Sequence, residues 1–307
     1  MDNISGKTSL VIGADIGGTH ITSALIDLRK ECTVAGSRVR YTVDPNAGAE
    51  DILDVWVLAI KGAMKKAELL SENVGIAMPG PFDYAAGICL IKDMHKYESL
   101  YALNIRSILS ERLGISPQNI EFRNDAEAFL HGEVFCGAAK GYSRAFGITL
   151  GTGLGSAFSV NGETTDANLG VSPFYDGIAE DYISTRWCVK RFRELTGSTI
   201  KDVKMLAQRA VRDEYARKVF AEFAENLGRF IVNVLQENKA EIVVIGGNIT
   251  LAHSLFWTKM ENYVKKEGVE VLITRTKLGE NASLIGAVCG FDNKITTVQF
   301  NKNALNP

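Results

Sequence analysis

The sequence predicts a two-domain α/β protein, and three observations carry that expectation. The chain has 307 residues, more than one typical domain. Strand-sized apolar runs alternate with amphipathic helical stretches along its length. A unit of strand, glycine turn and strand also occurs twice, as "GADIGGTHITSAL" and "GITLGTGLGSAF", which sets Asp15 opposite Thr149, Gly17 opposite Gly151 and Gly18 opposite Thr152. Two such hairpins in one chain imply two domains of related topology facing one another. Chance likeness between glycine-rich hairpins is the alternative at this point.

In chain order, "SLVIGADI", "HITSALID" and "CTVAGSRVRYTV" are joined by short connections and read as an antiparallel meander. Helical spacing then puts Ile52, Val55, Leu58, Ala59, Ala63 and Ala67 near one face. "NVGIAMPGPFD" is a strand ending in a Pro-Gly-Pro turn, Ile105 to Leu113 is a helix, and "NIEFRND" is the next strand. After the second hairpin come helices in "IAEDYISTRWCVKRFREL" and "TIKDVKMLAQRAV", then a long one from Asp213 to Asn238. Its Phe220, Phe223, Leu227, Ile231 and Leu235 recur at three- and four-residue steps, the pattern of a core-facing stripe. "AEIVVIGGNIT" and "VEVLITRT" are strands, and "NASLIGAVCGF" opens a final helix. The expected division is a small domain over 1–122 and a large one over 123–292, with the polar tail 293–307 on the surface or back on the first domain.

Composition narrows the partners. A formal net charge of −2 gives no concentrated basic surface for nucleic acid or an anionic membrane, and no apolar stretch approaches the length of a membrane span. The polar start "MDNISGK" holds no secretory apolar region. Five scattered cysteines without a CxxC pair point to neither a disulfide framework nor a cysteine-rich zinc site, so a reducing cytoplasm is the expected location. Of His20, His95, His131 and His253, none stands in a metal-ligand pattern. A small-molecule ligand is the default.

The glycine turns indicate which one. A turn without Cβ atoms lets backbone N–H groups approach an anion, so Gly17 and Gly18, with Gly151 and Gly153, suit the phosphates of a nucleotide. The hydroxyls of Thr19 and Thr152 add donors. An aspartate beside phosphate is repulsive unless Mg²⁺ lies between, usually through water, which gives Asp15 a metal-positioning role. Gly246, Gly247 and Asn248 follow an apolar strand and offer a flat backbone surface for adenine, or simply a tight strand-to-helix turn. None of these is a Walker A loop or a Rossmann turn.

Six stretches, "ADIGGT", "GIAMPGPFDYAAG", "RNDAEAFLHGE", "GITLGTGLGSA", "VVIGGNIT" and "LGENASLIGAVCG", in this order resemble the ROK family (repressors, uncharacterised open reading frames and sugar kinases) within the actin-like fold superfamily. The resemblance covers almost the whole chain. It implies an actin-like fold of two α/β domains with an interdomain cleft, ATP bound chiefly to the second domain and a sugar at the hinge. By the same resemblance Asp125 is the general base that accepts the proton of the attacking sugar hydroxyl, and Asn124, Glu180 and Gly80 bind the sugar. Asn124-Asp125 read alone could equally be a helix cap. The chain departs from the family at two places. The CxCGxxGC zinc motif has no counterpart between Gly170 and Glu180, and the ExGH motif survives at best as "GVSPF", with Val171 and Phe174 in its two polar positions.

The leading expectation is therefore a cytoplasmic, ATP- and Mg²⁺-dependent kinase of a hexose or hexose derivative. No structural zinc is expected, and Pro173, Phe174 and Tyr175 would order the loop by packing. The alternative is a catalytically weak sugar-binding or sensing member of the family. Only eight residues precede Ser9, so no DNA-binding domain is expected there. A homodimer is common in the family.

Overall fold

The computed structural model describes residues 9–66, 72–94 and 96–291. They form two compact units, residues 9–136 with 280–291, and residues 137–279. His95, Ala67 and the tail from Asn293 lie outside the described residues.

The first unit opens with β1 (Leu10–Ile16), β2 (His20–Asp27), β3 (Cys32–Thr33), β4 (Val39–Thr42) and α1 (Ala49–Lys66). It continues through β5 (Val74–Met78), a small hairpin of β6 (Phe82–Asp83) and β7 (Ile88–Cys89), α2 (Ile105–Leu113), β8 (Ile120–Asn124) and α3 (Asp125–Cys136). The second unit holds β9 (Arg144–Leu150), β10 (Leu154–Val160), β11 (Glu163–Asp166), a hairpin of β12 (Pro173–Phe174) and β13 (Gly177–Ile178), α4 (Thr185–Thr196), α5 (Val203–Ala210), α6 (Glu214–Glu237), β14 (Ile242–Gly246), α7 (Trp257–Lys266) and β15 (Leu272–Arg275). The chain then returns to the first unit as α8 (Ala282–Gly286).

The repeated hairpins are the start of a repeated sheet. Strand order is β3-β2-β1-β5-β8 in the first unit and β11-β10-β9-β14-β15 in the second. In each the hairpin strands pair antiparallel and the following strands are added in parallel. Each unit has its own core, one around Trp56, Ile60, Ile76 and Ile105, the other around Phe146, Phe192, Phe220 and Phe223.

Three sequence expectations change. The third segment of the meander divides into β3 and β4, because Gly36 takes a positive φ of 75° and Ser37 turns inward. The Ser37 hydroxyl accepts from the Leu25 N–H at 3.0 Å and donates to the Val34 carbonyl at 2.6 Å, replacing ladder bonds. The buried face of α1 is Ile52, Leu53, Trp56, Ala59, Ile60 and Ala63, while Leu58 is 52% exposed, so the helical period runs one step away from the face expected.

The domain boundary also moves, from 122/123 to the end of α3, and residues 280–291 join the first unit. Sterics explain why. A Cβ at Gly132 of α3 would strike the carbonyl of Ala282, and one at Gly286 would strike that of Ala128, so α3 and α8 touch backbone to backbone. α8 also covers Gly13 and Gly75 on the sheet, where a Cβ would meet the carbonyls of Leu284 and Ala287. Both helices therefore belong to the first sheet.

Candidate active site

The turn between β1 and β2 is braced from behind. Tyr97, fully buried and edge-on to Trp56, donates its hydroxyl to the Gly17 carbonyl at 2.5 Å, and the Val43 N–H donates to the Thr19 carbonyl at 2.8 Å. Burial keeps the Tyr97 phenol pKa well above its usual range, so it stays a donor. The Gly17 N–H is spent on the His20 carbonyl at 2.8 Å, and a side chain at Gly17 would meet the His20 ring. Among the described residues the backbone donors of Gly18 and Thr19 have no partner, and open space lies in front of Gly18.

The turn between β9 and β10 follows the same plan. The Gly151 N–H closes on the Gly153 carbonyl at 3.0 Å, the Gly151 carbonyl accepts from Thr185 at 2.9 Å, and the space before Gly151 is open. Among the described residues the N–H groups of Thr152 and Gly153 have no partner. Glu180 holds this turn: one carboxylate oxygen accepts from the Leu154 N–H at 2.8 Å and the other pairs with Arg186. Gly153 admits that carboxylate, since a Cβ there would overlap its oxygen. Gly246, Gly247 and Asn248 form a strand-to-helix turn, with Gly247 at φ 88° passing directly over the Leu150 carbonyl.

Asp15 is enclosed by protein on most sides, with part of its surface still open. Burial, and next the Asp125 carboxylate, push its pKa up to about 7, while Arg40 and Arg38 pull it down. Asp15 stays raised although Arg40 and Arg38 act on it, so two carboxylates that repel each other in a poorly solvated place would be relieved by a divalent cation. Among the described residues no group of three or more His, Cys, Asp or Glu could hold a metal. Mg²⁺ needs no such cage, because it retains water and takes one or two carboxylates with phosphate oxygens. The donor set fits that ion.

Asp125 is the first residue of α3, where the positive end of the helix favours a carboxylate. Asn124 does cap this helix: its side-chain oxygen accepts from Ala126 at 2.9 Å and Glu127 at 3.1 Å. Its amide then donates to the Tyr84 hydroxyl at 3.2 Å, which in turn donates to the Met78 carbonyl and lies against Gly80. Among the described residues Asn124 thus keeps one amide hydrogen uncommitted, while its side-chain oxygen already accepts two hydrogen bonds. Tyr84 and Tyr97 were missed in the sequence because a tyrosine that braces a turn carries no spacing signal.

The segment before Glu180 corrects one register. A Cβ at Gly170 would strike the Leu154 carbonyl, so this glycine is required by the backbone. Set on that glycine, the resemblance to E-x-G-H runs through Asn168, Leu169, Gly170 and Val171 and leaves Phe174 outside it. Val171 is 57% exposed, whereas Phe174 is buried in an aromatic cluster with Tyr175 at 4.6 Å and Tyr182 at 5.7 Å between ring centres. Tyr175 also donates to Asn226 at 3.3 Å and lies under Arg229. Among the other histidines, His253 sits between the Thr250 carbonyl and Arg275, and burial pushes His131 down to about 4.

Two α/β units of one topology, each presenting a braced glycine turn, define the actin-like fold. The ROK family profile matches residues 11–174 and 175–293, and the chain belongs to that family. A glucokinase of Thermotoga maritima is 25% identical over 90% of this chain and 95% of its own length. An N-acetylgalactosamine kinase of Shewanella is 24% identical over 78% of this chain and 81% of its own. The crystal structure of a ROK glucokinase from Streptomyces griseus, in complex with glucose and AMPPNP, superposes with a TM-score of 0.75 at 23% identity, covering 91% of this chain and 97% of the other.

Proposed function

We propose that the protein is a sugar kinase that moves the terminal phosphoryl group of ATP to a hydroxyl of a hexose or hexose derivative. The observation that carries the reading is Asp125 at the start of α3, sharing its electrostatic surroundings with Asp15 beside the Gly18–Thr19 turn. Asp125 accepts the proton of the attacking hydroxyl. In a loose phosphoryl-transfer transition state that proton leaves late, so a carboxylate is basic enough and positioning supplies much of the acceleration. Asn124 fixes the start of α3 and turns its amide to the sugar, with Gly80 and Tyr84 beside it.

Gly17, Gly18 and Thr19 in the first unit, and Gly151, Thr152 and Gly153 in the second, are assigned to the phosphates, with Gly246, Gly247 and Asn248 assigned to the base. Mg²⁺, held near Asp15, would screen the phosphate charge. Glu180 keeps unused lone pairs for sugar hydroxyls while it holds the second turn. A glucokinase and an N-acetylgalactosamine kinase among the relatives support a sugar acceptor.

The test is ADP release with Mg·ATP against hexoses, amino sugars and N-acetylated sugars. At least one is expected to be phosphorylated. Asn168 and Val171, in place of the family's glutamate and histidine, favour the second reading of a sugar sensor; it predicts sugar binding by calorimetry with no ADP released by any sugar.

A further inference from the structure

Two arginines act on Asp15, and Arg38 makes two side-chain hydrogen bonds where Arg40 makes one. Asp15 of β1 is opposite Thr22 of β2, and Thr22 is opposite Arg40 of β4. Cross-strand partners project from the same sheet face, so Asp15, Thr22 and Arg40 form one row, and Arg38, two residues earlier, lies alongside. Arg40 is two strand spacings from Asp15, roughly 10 Å between backbones, and an extended arginine side chain covers most of that distance.

The two guanidinium groups have different duties. Arg38 donates to Glu280 at 3.0 Å and to Asn281 at 3.1 Å, which ties the start of the returning segment to the residue just before β4. Arg40 reaches the same Glu280 with one nitrogen at 3.5 Å, the limit of a hydrogen bond. A guanidinium has five N–H donors, and the rest of those on Arg40 have no partner among the described residues. Arg38 and Arg40 share this face with Asp15, Asp125 and Glu280, and of the two arginines Arg40 has the larger effect on Asp15. Asp125 acts on Asp15 from the same unit, so an acceptor hydroxyl near Asp125 brings the phosphoryl group in transfer to this face.

We propose that Arg40 binds the terminal phosphoryl group of ATP through its uncommitted N–H donors. The inference rests on the kinase reading and adds a residue that no glycine or threonine of the turns can replace. Arginine is always charged and its planar fork matches two phosphate oxygens. At that position it would neutralise charge that grows on the phosphoryl oxygens during transfer.

The test is calorimetry on the full chain with Mg·ADP and with Mg·AMPPNP, for the wild type and for Arg40→Gln, Arg40→Lys and Glu280→Gln. Arg40→Gln is expected to weaken AMPPNP by about 10–100-fold, the loss typical of a charge-assisted pair, while ADP changes by less than about twofold. Arg40→Lys should fall between, because it keeps charge without the fork. Glu280→Gln should leave both ligands near wild type. Equal losses for ADP and AMPPNP in Arg40→Gln, no loss for either, or a Glu280→Gln variant that reproduces Arg40→Gln would overturn the assignment and reduce the cluster to a structural clasp. A wild type that binds neither nucleotide would overturn the kinase reading and this inference with it.

Discussion

Asp125 and Asp15 are separated by chemistry as much as by position. Asp125→Asn keeps the shape and removes the proposed base, so kcat should fall by on the order of 10²–10⁴ with nucleotide affinity unchanged; near-normal turnover would exclude Asp125 as the base. Asp15 has its carboxyl raised from 3.8 to about 7 in the folded chain, so its contribution to stability is complete below pH 3.8 and is lost as pH rises through about 7. Asp15→Asn should therefore raise the melting temperature of the nucleotide-free protein at pH 8 and change it little at pH 4, while losing Mg·ATP binding. Melting curves at the two pH values, with the wild type alongside, check the sign. Tyr97→Phe deletes one hydrogen bond to Gly17. It should cost about 1 kcal/mol and weaken ATP, measured by denaturation and calorimetry; an unchanged ATP affinity would mean that the turn holds its shape without Tyr97.

At the scale of elements, the β12–β13 hairpin is ordered by rings. Phe174, Tyr175 and Tyr182 lie within 4.6 to 5.7 Å of one another. Aromatic pairs of this kind add to the area they bury. Phe174→Ala should destabilise the second unit by about 3–5 kcal/mol, and a zinc chelator should leave the melting temperature of the wild type unchanged. Elemental analysis finding one zinc per chain would contradict the second expectation. Just before this hairpin stand Asn168 and Val171, an amide and an apolar group, in the segment that resembles the family's E-x-G-H. Buried hydroxyls without partners cost about 1–3 kcal/mol each. Glucose should accordingly show a lower kcat/KM than a sugar with an apolar or N-acyl substituent, and a panel in which glucose ranks first would refute this.

In the whole molecule the two units differ in continuity. Residues 137–279 are one uninterrupted stretch with a core of their own, whereas the first unit is completed by residues 280–291. Without α8, the carbonyls that meet Gly13, Gly75 and Gly132 are gone and that face of the sheet and α3 is uncovered. A fragment of residues 137–279 should fold cooperatively, while residues 1–136 should not until the C-terminal segment is supplied as a peptide. Circular dichroism and amide exchange on the two fragments test this; a folded 1–136 fragment would show that α8 is dispensable. Among the described residues no helix is long and apolar enough to cross a membrane.

The elements and the duplicated plan were legible before folding is considered. Hydrophobic period and turn residues are local properties, and they marked β1, β2, α2, α6, β9, β10 and both glycine turns with Asp15 beside the first, while Asp125 stood out only through the resemblance to the ROK family. Tertiary structure decided what depends on distant partners. Which of the four glycines at the two turns leave open space, which N–H groups are spent, and the capping of α3 by Asn124 all follow from atoms that meet only after folding. The same holds for the boundary after α3, set by backbone contact between residues some 150 positions apart. It holds for Arg40 as well: in the sequence it is one arginine in "SRVRYT", and only strand pairing places it in a row with Asp15, because side chains separated along the chain become neighbours through the register of the sheet.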